Sequence, residues 1–138
     1  MKREALLWFL GLLLTAGCAS AERQREGLGK ELQATFNDCG GKFQQTGYAQ
    51  VARCAQEPVR GAYERRKYPY MDLVDLFLAQ WTAIGTKVDE GQLRPEEAQL
   101  ALMEQLFRIT GEAQRRDGQY ETRWILLSEL RPTLPPRR

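Results

Sequence analysis

Six large side chains, Tyr70, Val74, Phe77, Trp81, Ile84 and Val88, recur at alternating intervals of four and three residues. This spacing most constrains what the chain can fold into. It lines up one face of an α-helix and marks that face as the seam of a helix packed on another helix. Leu73, Leu76 and Leu78 widen the apolar face. Pro69 suits the first helical position, and Asp72 lies in the first turn, where a negative charge favours the helix dipole. The segment ends at Asp89-Glu90-Gly91, with Gly91 as a left-handed cap. The expected fold is therefore all-α, and this helix is its centre.

Pro95-Glu96-Glu97 opens a second long helix in the usual order of proline followed by acids. It carries two adjacent stripes: Leu100, Met103, Phe107 and Thr110 in one, Leu102, Leu106, Ile109 and Ala113 in the other. Two stripes predict a broad buried face. The short connection predicts an antiparallel helical hairpin. Upstream, Leu28, Leu32 and Phe36 predict a helix that stops at Asn37-Asp38-Cys39-Gly40-Gly41. A shorter helix is expected from Tyr48 to about Glu57, interrupted by Pro58. Trp124-Ile125-Leu126-Leu127 with Leu130 predicts a terminal helix, closed off by Pro132, Pro135 and Pro136.

The start of the chain is of another kind. Lys2 and Arg3 precede an apolar run from Ala5 to Ala16, far shorter than the ~20 residues a spanning helix needs. Small residues follow, and the run closes on Leu14-Thr15-Ala16-Gly17-Cys18. A basic start, a short apolar segment and small residues describe a signal peptide. The closing residues resemble the lipobox of bacterial lipoproteins, with Thr15 where Leu is commonest. The resemblance implies export, cleavage before Cys18 and acyl chains on that cysteine. Ala19 and Ser20, in place of an Asp after the cysteine, imply the outer membrane, facing the periplasm. The bland alternative is an ordinary secretory signal that contains a cysteine. The expected layout is a signal peptide (1–17), a tether (18–29), a helical domain (30–131) and a mobile tail (132–138).

Cleavage would leave 18 basic and 17 acidic residues, interspersed, which is no footprint for nucleic acid. Two cysteines would remain, Cys39 and Cys54. In an exported chain an even pair of thiols is normally a disulfide. A metal site or a reactive thiol is the alternative, but a chain without His and with two thiols cannot close a zinc site.

The segment Cys39-Gly40-Gly41-Lys42-Phe43, through Thr46-Gly47-Tyr48-Ala49 to Arg53-Cys54, is similar to short exported lipoproteins of proteobacteria. Lys87-Val88-Asp89-Glu90-Gly91-Gln92-Leu93 with Pro95-Glu96-Glu97-Ala98 looks like the helical-hairpin turn of such small proteins, with Arg94 where a Ser or Thr cap is more usual. The resemblance implies location and fold and adds no activity.

Chemistry is sparse. The chain has no His, and the Ser residues after Cys18 are Ser20 and Ser128, neither in the setting of an activated nucleophile. Glu57, Glu64, Asp72 and Asp75 are carboxylates available for acid–base work, with nothing to single out a pair. Thr86 to Glu97 has the Gly91 and Glu97 of a calcium loop, but Thr86 and Val88 stand where acids belong. No metal, cofactor or catalytic residue is expected. The candidate binding surface is a basic and aromatic cluster, Arg60, Tyr63, Arg65, Arg66, Lys67 and Tyr68, which suits anionic headgroups, a cell-wall polymer or an acidic protein. The expected function is a non-enzymatic, lipid-anchored envelope protein that binds another protein or assists assembly. The alternative is a small inhibitor or binder of a periplasmic enzyme or cell-wall polymer.

Overall fold

The computed structural model describes residues 2–43, 45–117, 127, 129 and 130, with side chains from Glu22 onward. The described residues form four helices and no strand: α1 (Lys2–Phe43), α2 (Tyr48–Arg65), α3 (Met71–Asp89) and α4 (Pro95–Asp117). The all-α fold read from the sequence is the fold observed. No helix among the described residues is long and apolar enough to cross a membrane.

The helices stack in chain order, α1 on α2, α2 on α3 and α3 on α4. Side-chain pairs show each neighbour to be antiparallel. Glu31 of α1 meets Arg66 at the end of α2, Asp75 near the start of α3 meets Arg60, and Asp72 meets Arg116 at the end of α4. Inner helix α2 faces two neighbours, and Ala52, Ala55 and Ala62 are fully buried on it. Small side chains let two helices approach it closely. Phe36 of α1 and Trp81 of α3 also meet edge to face, with ring centroids 5.4 Å apart.

The seam predicted for α3 is buried from Val74 to Val88, and Leu73 and Leu78 join it. Leu76 does not, being nearly half exposed. Helix α3 starts at Met71, with Tyr70 as its N-cap, so Pro69 lies outside the first turn. Its end is a Schellman motif. Gly91, at φ 72°, donates to the Val88 carbonyl, and Gln92 donates to the Lys87 carbonyl. At the start of α4 the Glu97 carboxylate accepts the Arg94 backbone N–H at 2.9 Å, the reciprocal half of a capping box. Gly91 and Glu97 thus serve helix ends.

Three expectations are corrected. Helix α1 does not stop at Gly40-Gly41 but runs on to Phe43, so Cys39 lies inside it. Two glycines cost a helix only about 2 kcal/mol. Buried Cys39, its disulfide to Cys54 and Phe43 packed on the core offset that cost. The chain then turns into α2 at its N-cap Gly47, whose φ of 129° no other residue adopts readily. Upstream, the same helix runs unbroken through the expected boundaries of leader and tether, and no proline interrupts it.

Helix α2 does not end at Pro58 but passes through it to Arg65. A proline removes one hydrogen bond and crowds the preceding turn. Pro58 sits on the exposed side, while Val59, Ala62 and Tyr63 beyond it are fully buried and hold the last two turns in place.

The third correction concerns α4, where only one stripe is buried. Ala98, Leu102, Leu106, Ile109 and Ala113 face α3, whereas Leu100 and Phe107 are 71% and 72% exposed. Among the described residues α4 packs chiefly on α3, which covers one stripe.

Leu127 and Leu130 are buried in the same core, and Glu129 accepts a hydrogen bond from Arg25 at 2.7 Å. The rest of the expected terminal helix and the tail at 132–138 lie outside the described residues.

Candidate functional site

Because α2 continues past Pro58, the basic and aromatic cluster falls on a helix end, not on a linker. Tyr63 follows Val59 and Ala62 onto the buried face. Lys67 takes a left-handed conformation (φ 51°), and the chain closes with a second Schellman motif. Lys67 donates to the Glu64 carbonyl, and Tyr68 to the Tyr63 carbonyl. This motif usually carries an apolar contact between the residue after the turn and the third-last residue of the helix. Here that contact is Tyr68 on Tyr63, edge to face at 5.3 Å. Both tyrosines are core residues, at 4% and 0% exposure.

The arginines are partnered. Arg60 pairs with Glu64 and with Asp75 at 2.9 Å. Arg65 and Arg66 both pair with Glu31, Arg66 at 2.8 Å and also donating to the Ala62 carbonyl. Partial burial pushes the Glu31 carboxyl up, but the hydrogen bonds from Arg66 and Arg65 outweigh it and hold the group below its ordinary value. Of the six residues, Lys67 is the exposed cation without an ion pair to a described residue. The structure therefore brings the six together as a helix terminus whose charges are largely neutralised.

The same end of the bundle holds a second cluster. Tyr70 donates its hydroxyl to Asp117 Oδ1, and Tyr68 packs against Tyr70 at 5.8 Å. The Arg116 guanidinium lies 5.4 Å from the centre of the Tyr70 ring and pairs with Asp72 and Glu112. Burial first, and the Asp117 charge second, push the Tyr68 phenol far above its ordinary value, and burial does the same to Tyr63. These phenols stay neutral over any physiological range. The hydroxyl of Tyr70, through Asp117, ties the start of α3 to the end of α4.

Glu112 gives this end a pH dependence. Hydrogen bonds from Arg115 and Arg116 lower its carboxyl from 4.5 to about 2. A carboxyl held lower in the folded state contributes stability above 4.5 that is lost as the pH falls toward about 2. The end of α4 should loosen over that window. Amide exchange of residues 110–117 should show it, and Glu112→Gln should remove the pH-dependent part. The pair is exposed, so salt should shrink the effect.

The carboxylates singled out in the sequence do not converge. Glu64 and Asp75 share Arg60, Asp72 pairs with Arg116, and Glu57 is exposed. No charged residue among the described ones is buried, and no group of three potential metal ligands forms among them. Cys39 and Cys54 are joined as a disulfide, their Cα atoms 5.7 Å apart. The cysteine pair is thus a staple between α1 and α2. On the chain-entropy model such a loop contributes ~3 kcal/mol. Cys18 lies on α1, among the residues whose side chains are not described.

The surface that composition and spacing did not single out is the outward face of α4. Leu100 and Phe107, two turns apart, point away from α3, while Met103 between them is partly buried against the core. Their place in the Leu100, Met103, Phe107 stripe is the sequence signal, and such a stripe predicts core because helix-spaced apolar residues usually are. Exposed patches of large apolar side chains mark interaction sites more than solvent faces. No family model, no curated protein and no solved structure matches this chain.

Proposed function

We propose that this chain is a lipid-anchored envelope protein that docks another protein and performs no catalysis. The observation that carries the reading is the outward face of α4, with Leu100 and Phe107 each more than 70% exposed. The leader ending just before Cys18 supports the anchor. More than one acyl chain is required for a stable hold, as lipoproteins carry. Helix α1 leads from Cys18 to Leu28, the first buried residue among the described side chains, so the domain would stand about 15 Å from the anchor. The ion pairs of Arg60, Arg65 and Arg66 leave little free positive charge at the α2 terminus, which disfavours an anionic polymer as the partner.

The test has two parts. Mass spectrometry of the protein extracted from its native membranes should find an acylated Cys18 at the N-terminus, and Cys18→Ala should leave the chain unprocessed and unacylated. With p-benzoylphenylalanine in place of Phe107, irradiation of whole cells should give one discrete adduct with another protein. A free Cys18 overturns the anchor. The absence of any adduct from position 107 overturns the docking role.

A further inference from the structure

Gly40 and Gly41 lie beside the Cys39–Cys54 disulfide, in a helix that gains nothing from them. Nothing is within 4 Å of a Cβ built at either position, so alanine would fit at both. Neither has the positive φ that explains the glycines at 47 and 91. Their effect on the folded state is to weaken the helix, each by about fivefold relative to alanine. Asn37 and Asp38, exposed and turn-favouring, precede them. Of residues 40–43, only Phe43 packs on the core, and it is only partly buried. Both flanks of this segment are fixed to α3. Upstream, Phe36 packs on Trp81. Downstream, Asp89 accepts the Tyr48 and Ala49 N–H groups, so the start of α2 is capped by α3 rather than by α1. Between these fixed points the disulfide from Cys39 is the one covalent tie of the segment to α2.

We propose that the Cys39–Cys54 disulfide is a reversible redox latch: oxidised, it holds residues 37–43 in α1, and reduced, it lets that last stretch unwind while the rest of the bundle stays folded. Cys39 is 2% exposed, and Cys54, partly buried, is the more open of the two. A dithiol supplies the two electrons. Its thiolate attacks Cys54 Sγ, the S–S bond breaks, and Cys39 leaves as a thiolate that takes up a proton. The second thiolate of the dithiol then displaces Cys54, which takes up the other proton, and the dithiol departs as a disulfide. Bond and helix are reciprocally coupled. The helix carries Cys39 to Cys54, and the bond holds the helix together around the two glycines. The glycines weaken that helix and so make the disulfide easier to reduce. Thr46 and Gly47 donate to the Phe43 carbonyl, so the turn into α2 loses its hold on α1 when the segment unwinds.

The experiment uses the full chain with its disulfide formed, in buffers of reduced and oxidised dithiothreitol. Reduction should speed amide exchange at residues 40–43 roughly tenfold or more and leave α3 and α4 unchanged. Gly40→Ala combined with Gly41→Ala should move the thiol–disulfide equilibrium roughly tenfold toward the disulfide, less than the full product of the two because a helix end frays. The same variant should keep residues 40–43 protected after reduction. The shift in equilibrium arises only if the reduced parent chain leaves the helix, so a double-alanine variant with the parent's equilibrium overturns the proposal. Unchanged exchange at 40–43 on reduction overturns it as well. So does loss of protection throughout α3 and α4, which would make the bond a staple of the whole fold rather than a latch on one segment.

Discussion

Trp81→Ala should destabilise the domain by about 3–5 kcal/mol, a large part of the 5–15 kcal/mol that holds a typical domain folded. Trp81 is 2% exposed and packs against Phe77 on its own helix. Its contact with Phe36 also joins α3 to α1, past the helix between them. Truncation therefore opens a large cavity where three helices meet. The refinement is Trp81→Phe. The indole N–H is buried with no hydrogen-bond partner among the described residues, so phenylalanine removes an unsatisfied donor along with part of the ring. That gain offsets much of the lost volume, and Trp81→Phe should cost under about 1.5 kcal/mol. Urea unfolding followed by circular dichroism measures both. Equal losses in the two variants would mean that the indole N–H has a partner, and a loss under 1 kcal/mol for alanine would mean that the α1–α3 contact does not form.

The features legible in the sequence are those that depend on nearest neighbours along the chain. The seam of α3, the Gly91 cap and the acidic start of α4 are properties of a helix and its ends, and all three stand in the structure. The disulfide was legible from parity and an inferred compartment. The misread features depend on what lies across a helix. Pro58 and Gly40-Gly41 carry strong local stop signals, yet both lie inside helices: buried Val59, Ala62 and Tyr63 hold the chain beyond Pro58, and the Cys39 disulfide with Phe43 on the core holds it around the glycines. Arginines surround Tyr63 and Tyr68 in sequence, which suggests a surface, but helical spacing turns Tyr63 inward and the turn after α2 brings Tyr68 onto it. Leu100 and Phe107 looked like core because nothing in a stripe tells how many neighbours its helix will have. The candidate docking face is thus visible in the pattern and identifiable only once α3 is seen to cover a single stripe of α4.

Gly85→Ala shows the same point in energetic form and should cost about 2–3 kcal/mol. Alanine is normally the better helix residue by about 1 kcal/mol, so sequence alone favours the change. A Cβ at position 85, however, would lie 2.8 Å from the Ala49 backbone nitrogen and 2.9 Å from the Tyr48 carbonyl carbon. Both are backbone atoms, and no side-chain rotation relieves the overlap. Helices α2 and α3 must move apart, at the 1–3 kcal/mol typical of overpacking or somewhat more. The movement also strains the cap one turn further on. There Asp89 accepts the Tyr48 N–H at 2.8 Å and the Ala49 N–H at 2.9 Å, closing the open start of α2 from another helix. Loss of such a cap alone costs about 0.5–2 kcal/mol. Gly111→Ala is the control, since nothing lies within 4 Å of its Cβ position on the exposed side of α4. That variant should gain up to about 1 kcal/mol. Thermal unfolding of the two variants should therefore move in opposite directions from the parent chain, and a Gly85→Ala variant as stable as Gly111→Ala would show that α2 and α3 do not meet at this contact.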